Sequence, residues 1–355
     1  MQREGTSLTL KDLAEALGVS RTTVSNAFNR PDQLSPALRE RVLQKATELG
    51  YAGPNPMARM LRTGRTGTVG VLFGETLPYA FDDPIAIAFL RGVSEVCEAN
   101  QVSMLLLPRR SRSETETILR QAAVDGFLVY ALMEDARLLN ALRTRGKPLV
   151  MVEQEPLPGF SVVDLDDAGA AETIAAHVLK QGHRRVAVIA METDLDNAPA
   201  ARSIAPEQRH HIPHITTRRR WLGFAAALQA AGLNPDTVPF ISQPNREHFG
   251  RTTAMELLAA PTPPTALLAM SDRLALGALE GAKALGLRVP EDVSIVGFDD
   301  IPRAARSQPP LTTMRQHPEA KGRAAATLLL EPPAVPLTQI IPTELIVRAS
   351  VAPPR

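Results

Sequence analysis

Over the first fifty residues apolar side chains recur at helical spacing, whereas beyond Thr68 they gather into short continuous runs separated by longer amphipathic stretches. Leu10, Leu13, Ala14 and Leu17 share one helical face, and Gly18 stands where a chain leaving that helix needs a positive φ. Ser20 is placed to cap a second helix, in which Val24 and Ala27 or Phe28 point inward. Arg21, Thr22, Ser25 and Asn26 are left on its outer face near the N-terminus. Ser35 followed by Pro36 is a cap with proline in the first helical turn. Leu38, Val42, Ala46 and Leu49 then continue on one face until Gly50. Two short helices around a tight turn predict a helix-turn-helix, whose second helix offers its N-terminal residues to base edges in the major groove. Taken alone, those two helices also fit an ordinary helical hairpin; the third gives the unit a minimal core.

From Thr68 onward the runs TVGVLF, VSMLLL, GFLVY, PLVMV, RVAVIA, ALLAM and VSIVGF predict strands. Helical segments are expected at 84–100, 113–123, 167–181, 218–231, 246–258 and 272–285. Alternating β and α elements imply parallel sheets covered by helices. The strands are too many for one small sheet, so two doubly wound subdomains are expected, with a ligand cleft at the C-terminal ends of the strands.

Composition changes this picture in three places. The net charge of +1 hides an asymmetry: residues 1–66 carry ten Lys/Arg against six Asp/Glu, and the remainder 29 against 32. Positive charge is therefore concentrated where phosphates would be met. One cysteine, Cys97, excludes an internal disulfide framework and, within IAIAFLRGVSEVCEAN, reads as a small buried apolar residue. The N-terminus MQREGTSLTL has no apolar signal region, and no run reaches membrane-spanning length, so a cytoplasmic protein is expected, nucleoid-associated when on DNA.

The GVSRTTVS turn, the third helix ending in ELGY, the Pro54-Asn55 pair and the segment MARMLRTGRTGTVGV resemble the headpiece and hinge of the LacI/GalR family of bacterial transcription regulators. GHRRVAVIA, RWLGFAAAL, PTALLAMSDRLALGAL, VPEDVSIVGFDDIP and PPLTTMRQ extend the resemblance through the body. It implies an N-terminal all-α helix-turn-helix headpiece plus an α/β periplasmic-binding-protein-like core of two doubly wound parallel-sheet subdomains. The expected domains are a headpiece at 1–52, a hinge at 53–66 and an effector-binding and dimerisation core at 67–355. The core's N-subdomain would take about 67–165 and 301–329 and its C-subdomain about 166–300 and 330–355, with crossings near 165, 300 and 330. In the hinge, Leu61 matches the leucine that wedges between base pairs in the minor groove. Ala58 matches the small residue allowing close approach, with Asn55 and Arg59 as backbone or groove contacts; read without the resemblance, the stretch is a flexible basic linker.

On the headpiece, Arg21 is assigned to a guanine edge, Asn26 to an adenine edge and Thr22 to a base or methyl. Asn26 replaces the arginine often found there, so base preferences do not transfer. Ser20, Ser25, Asn29 and Ser35 are assigned to phosphates, and Thr9 and Leu10 complete the DNA-binding set. In the body, Arg220 matches the arginine that forks onto ligand hydroxyls, and Asp299 the acidic partner after GFDD. Ser271, Glu153, Tyr130, Asp83 and Asn245 complete the candidate effector site, Asp83 following TLPYAFD as a loop. Carboxylates, an arginine and an aromatic around a cleft suit a small polar effector such as a sugar; a helix cap or an inter-subdomain salt bridge is the alternative role for each.

No GxSxG, GxGxxG, Walker A, HExxH or paired CxxC motif is present, so no enzyme, cofactor or metal is expected. His210, His211 and His214 cluster in PEQRHHIPHITTRRR, with no carboxylate or cysteine at ligand spacing, and read as part of a solvated loop. The connection from Glu192 to Thr217 is long enough to act as a lid or partner surface. The expected protein is a repressor that binds a pseudo-palindromic operator as a homodimer under control of the effector. The alternatives are a ligand-independent chromosome-organising protein, which would be indifferent to cleft mutations, and a small-molecule binding protein, which would need a secretory signal and no headpiece.

Overall fold

The computed structural model describes residues 8–53, 60, 63–131, 136–193 and 201–355. Met1–Thr66 and Gly67–Arg355 are two compact units. The hinge residues Asn55, Ala58, Arg59 and Leu61 lie outside the described residues.

In the first unit, helices α1 (Leu10–Leu17), α2 (Arg21–Asn29) and α3 (Pro36–Leu49) each begin on a side-chain cap. Thr9 forms a capping box with Asp12, Ser20 accepts from the Thr23 amide at 3.0 Å, and Ser35 accepts from the Leu38 amide with Pro36 behind it. Gly18 (φ 66°) and Gly50 (φ 72°) close α1 and α3 in the left-handed conformation that favours glycine. The core is Leu13, Ala14, Val24, Ala27, Val42, Ala46 and Tyr51, so the apolar period reported the buried face correctly.

The second unit opens with β1 (Thr68–Phe73), α4 (Leu77–Asp82), α5 (Pro84–Ala99), β2 (Ser103–Leu107), α6 (Arg112–Gln121), β3 (Gly126–Tyr130), α7 (Ala136–Thr144), β4 (Leu149–Val152) and β5 (Ser161–Leu165). It continues with α8 (Asp167–Lys180), β6 (Val186–Ala190), β7 (Arg202–Ser203), α9 (Pro206–Arg209), α10 (Ile215–Ala230), β8 (Phe240–Ser242), α11 (Glu247–Leu258), β9 (Ala266–Ala269), α12 (Asp272–Ala284) and β10 (Ser294–Val296). β11 (Thr313–Arg315), α13 (Pro318–Leu330), β12 (Thr338–Ile341) and β13 (Glu344–Ile346) complete it.

Six parallel strands, ordered β12-β5-β4-β3-β1-β2, form one sheet. Five, ordered β10-β9-β6-β8-β7, form the other, parallel except for β7. β11 and β13 pair antiparallel as a separate ribbon. Strands covered on both faces read as unbroken apolar runs, and β3, β4 and β6 are buried at every position. The helices over them pack backbone to backbone: a Cβ at Gly92 of α5 would strike the Glu319 carbonyl, and one at Gly223 of α10 the Ala168 carbonyl.

Five expectations are corrected. Residues 330–355 do not all belong with the second subdomain, because β12 adds to β5 and completes the first sheet. The last two crossings accordingly fall between Arg315 and Pro318 rather than near 300, since Ile301, Ala304, Leu311 and Met314 pack in the second subdomain's core and Thr312 and Arg315 bridge to Val296 and Asp299, and between Ile341 and Glu344 rather than near 330, since β13 pairs with β11. TLPYAFD is not a loop, since Leu77–Asp82 is helical, with Thr76 accepting from the Tyr79 amide. The stretch after residue 200 is not a solvated loop: it forms β7 and α9, Ile204, Arg209 and Ile212 are buried, and the Arg209 guanidinium lies over the rings of Trp221 and Phe240. Residues 194–200 of the long connection lie outside the described residues.

Candidate functional site

The headpiece presents its chemistry on α2. Ser20 spends its hydroxyl on the cap and on Thr23 Oγ1 at 2.8 Å, and Asn29 Nδ2 donates to the Ser25 carbonyl at 3.0 Å. Thr9 is engaged by Asp12, both its hydroxyl and its amide donating to Oδ2. Leu10 is partly buried in the headpiece core, and Ser35 is exposed at the start of α3. Arg21 and Thr22 are exposed, Asn26 is half-buried, and none of these three side chains has a hydrogen bond or ion pair among the described residues. The structure thus divides the predicted set into residues that hold the helix and a trio left with free donors and acceptors.

In the larger unit the candidate side chains follow strand ends. Glu75 comes two residues after β1, Tyr130 ends β3, Glu153 follows β4, Glu192 lies two residues after β6, and Asp299 three after β10. With Tyr79, Asp83, His214, Thr216, Arg220, Asn245 and Gln316 they surround a void of about 80 Å³ between the subdomains. Crevices outside the carboxyl ends of parallel strands are where ligands bind in such folds. Ala131, Glu153 and Asp299, all in this wall, hold φ values of 48°, 53° and 122°; non-glycine residues in that region concentrate at binding sites.

Six of the seven predicted effector residues line the void: Asp83, Tyr130, Glu153, Arg220, Asn245 and Asp299. Ser271 does not. Its hydroxyl accepts from the Leu274 amide as the cap of α12 and donates to Asn245 Oδ1 at 2.6 Å, so it positions Asn245 from behind. Asp83 combines two roles, lining the void while capping α5 through the Ile85 amide.

A polar chain runs along one wall. Tyr130 donates to Glu153 Oε1 at 3.4 Å, and Lys321 Nζ donates to the same oxygen and to Gln316 Oε1 at 2.8 Å. Gln316 Nε2 donates to Asp299 Oδ1 at 2.6 Å, and Asp299 Oδ1 lies 3.5 Å from Arg220 Nη1. Arg220 Nε donates to Asp167 Oδ1 at 2.8 Å, Nη1 to the Met270 carbonyl, and the guanidinium stacks 3.6 Å over Phe298. Arg220 is 3% exposed, and its Nη2 has no acceptor among the described residues. Burial raises the Glu153 carboxyl, but the Lys321 ammonium outweighs it and holds the group below its ordinary value. For Asp299 burial prevails over Arg220, and the pKa rises to about 7.

The sequence left Glu75, Tyr79, Glu192, His214, Thr216, Gln316 and Lys321 unassigned. His214, predicted to be in a solvated loop, caps α10: its Nδ1 accepts from the Thr217 amide at 3.3 Å. That bond places the ring proton on Nε2, and burial lowers the pKa to about 4, so the ring is a neutral donor in the pocket wall. His210 and His211 are exposed. Thr216 precedes Arg220 by one helical turn, a spacing that shares a face. No cluster of metal-ligating residues occurs among the described residues, and no helix there is long and apolar enough to cross a membrane.

A helix-turn-helix headpiece joined to a two-lobed α/β core with a polar cleft defines a ligand-binding type of DNA-binding regulator. Residues 9–55 match the bacterial regulatory proteins of the lacI family, and residues 175–351 match the periplasmic binding protein-like domain. The HTH-type transcriptional regulator Rv3575c of Mycobacterium tuberculosis is 40% identical over 356 residues, covering 98% of this chain and 97% of that protein. The solved transcriptional regulator CelR–cellobiose complex is 31% identical, with a TM-score of 0.68 over 97% of this chain and 99% of that one. The lac repressor dimer bound to operator and the anti-inducer ONPF shares the fold, with a TM-score of 0.79 at 23% identity over 98% and 100% of the two chains. The chain belongs to the LacI family of bacterial DNA-binding transcriptional regulators.

Proposed function

We propose that this regulator is a homodimeric repressor, in which paired headpieces occupy the half-sites of a pseudo-palindromic operator and a small polyhydroxylated effector enters the core cleft. The observation that carries the effector reading is the held arginine: Asp167 and Phe298 fix Arg220 in the wall of the void, and its Nη2 has no acceptor among the described residues. An anchored guanidinium with an open pair of donors is suited to a fork of vicinal hydroxyls. Donors and acceptors from both lobes surround the void, so a ligand that engages both biases the angle between them. A coupling of about 1–3 kcal/mol to DNA binding is typical of such devices. Cellobiose in the CelR complex is a ligand of this chemistry. On the headpiece, Arg21, Thr22 and Asn26 read bases, and Leu61 wedges the minor groove. Protein symmetry then imposes a twofold-related site. The protein acts in the cytoplasm.

The test is a thermal-shift screen of the full chain against sugars, followed by operator titration with each hit. Ligand at a hundred times its dissociation constant adds about 2.7 kcal/mol, and a hit that also changes operator affinity supports the reading. Ligands that stabilise the core without changing operator affinity would leave a binding protein with no switch.

A further inference from the structure

The two ends of the cleft answer their charges differently. Around Arg220 each carboxylate faces a cation: Asp167 and Asp299 share the guanidinium, and Glu153 holds Lys321. At the other end Glu75 and Asp83 come from the first lobe and Glu192 from the second, gathered about the bridge in which Asn245 Nδ2 donates to the Tyr79 hydroxyl at 3.1 Å. None of these three carboxylates forms an ion pair with a described residue. Asp83 accepts from the Ile85 amide and Glu192 from the Asn245 amide, while Glu75 has no hydrogen bond there.

Three arginines approach this end without an ion pair to these acids: Arg273 attracts Asp83 and Glu192 through space, and Arg246 and Arg109 attract Glu75. Arg246 and Arg273 lie 5.9 and 5.6 Å from the centre of the Tyr79 ring, and Arg246 pairs with Asp82 at 3.8 Å. Arg109 acts on Glu75 only through space. Burial, with Glu192 and Asp83 nearby, outweighs the attraction of Arg109 and Arg246 and raises Glu75 to about 7. Burial likewise raises Asp83 and Glu192.

We propose that the ligand of this cleft is a polyol carrying a protonated amine, of the amino-sugar or aminocyclitol class, with its ammonium held between Glu75 and Asp83 of one lobe and Glu192 of the other. The proposal rests on the effector reading of the cleft and names the ligand's charge. A neutral polyol satisfies Arg220 Nη2 and Asp299 but leaves the three acids without a cation in contact. A sugar phosphate adds negative charge to them. An ammonium brings three donors and an attraction to both lobes at once, in a partly desolvated site where such attraction is strong. It therefore closes the cleft as it binds.

The experiment is calorimetry on the full-length protein in amine-free, phosphate-free buffer with matched probes: glucose, glucosamine and glucose 6-phosphate; the galactose equivalents; and myo-inositol with an amino-deoxy inositol. At pH about 7 an amine member should bind at least about tenfold more tightly than its neutral partner, with no detectable binding of the phosphate. Its affinity should rise between pH about 6 and 7, because the cation favours ionised Glu75 and binding expels a proton. Glu75→Gln, which disturbs no hydrogen bond, should cut the amine-to-neutral ratio several-fold. A neutral or phosphorylated member that matches its amine partner, or an unchanged ratio in Glu75→Gln, overturns the proposal while leaving a polyol site standing. Silence from every probe overturns the polyol reading and this inference together.

Discussion

The headpiece and the cleft solve recognition in opposite ways. On α2 the proposed contact groups Arg21, Thr22 and Asn26 are exposed or half-buried, lie within six residues of one another and have no partner among the described residues, and the caps beneath them are local. In the cleft the groups are buried or half-buried, mostly bound to one another, and drawn from strand ends and helices more than two hundred residues apart, from Glu75 to Gln316. DNA supplies its own dense field of charge and hydrogen-bonding edges, so side chains that wait in solvent suffice. A small ligand has few atoms and needs partners whose positions are already fixed.

If that contrast holds, mutations in the cleft act first on the fold and mutations on α2 act first on binding. The largest effect is expected from Arg220→Ala, which strands Asp167, 1% exposed, without its cation. Breaking a buried pair costs about 3–5 kcal/mol, and denaturant unfolding of the core should show it together with loss of the ligand response. Adding Asp167→Asn should recover part of that stability but none of the response. A variant as stable as wild type would mean that the pair is not structural and would erase the contrast.

On the other side, Arg21→Ala should weaken specific operator binding by about 1–3 kcal/mol with the unfolding midpoint unchanged. Leu61→Ala should also reduce specific binding, and by more than it reduces binding to non-specific DNA; equal losses on both DNAs would dismiss the wedge. Ser20→Ala sharpens the division within α2 itself. It removes a cap worth about 1 kcal/mol, so headpiece melting should fall while operator affinity, corrected for the folded fraction, stays close to wild type.

The same difference governs how much could be read from the chain. Period, cap and turn are local, so the three helices and their core were legible down to Gly18 and Gly50. Buried parallel strands announce themselves as apolar runs, and β1, β3, β4 and β6 were found that way. β12 was not, because TQII is an exposed edge strand with a mostly polar surface, and only its pairing with β5 defines it. Arg220 and Asp299 were legible through their motifs. Glu75 and Glu192 carried the same positional signal as Glu153, an acid just past an apolar strand, but neither falls in a familiar stretch. His214 was misread because histidine beside proline looks solvated, whereas its role as a cap depends on how α10 is docked. Ser271 was assigned to the ligand when its hydroxyl belongs to α12, a distinction visible only in the hydrogen bonds.

The smallest effect tests the acid end of the cleft without any ligand. In the folded protein Glu75 titrates near 7, above its ordinary 4.5, so its ionised form is the one the fold disfavours. That penalty is fully present above pH about 7 and vanishes below the unfolded value. Glu75→Gln should therefore stabilise the empty core at pH about 8 and leave it unchanged near pH 4.5. The gain should stay below about 1 kcal/mol, because a partly exposed carboxylate is screened by solvent. Differential scanning calorimetry of the two proteins at both pH values reads this group together with its coupling to Asp83 and Glu192. A loss of stability at pH 8 would mean that Arg109 or Arg246 neutralises Glu75 in solution, and the two ends of the cleft would then be charged alike.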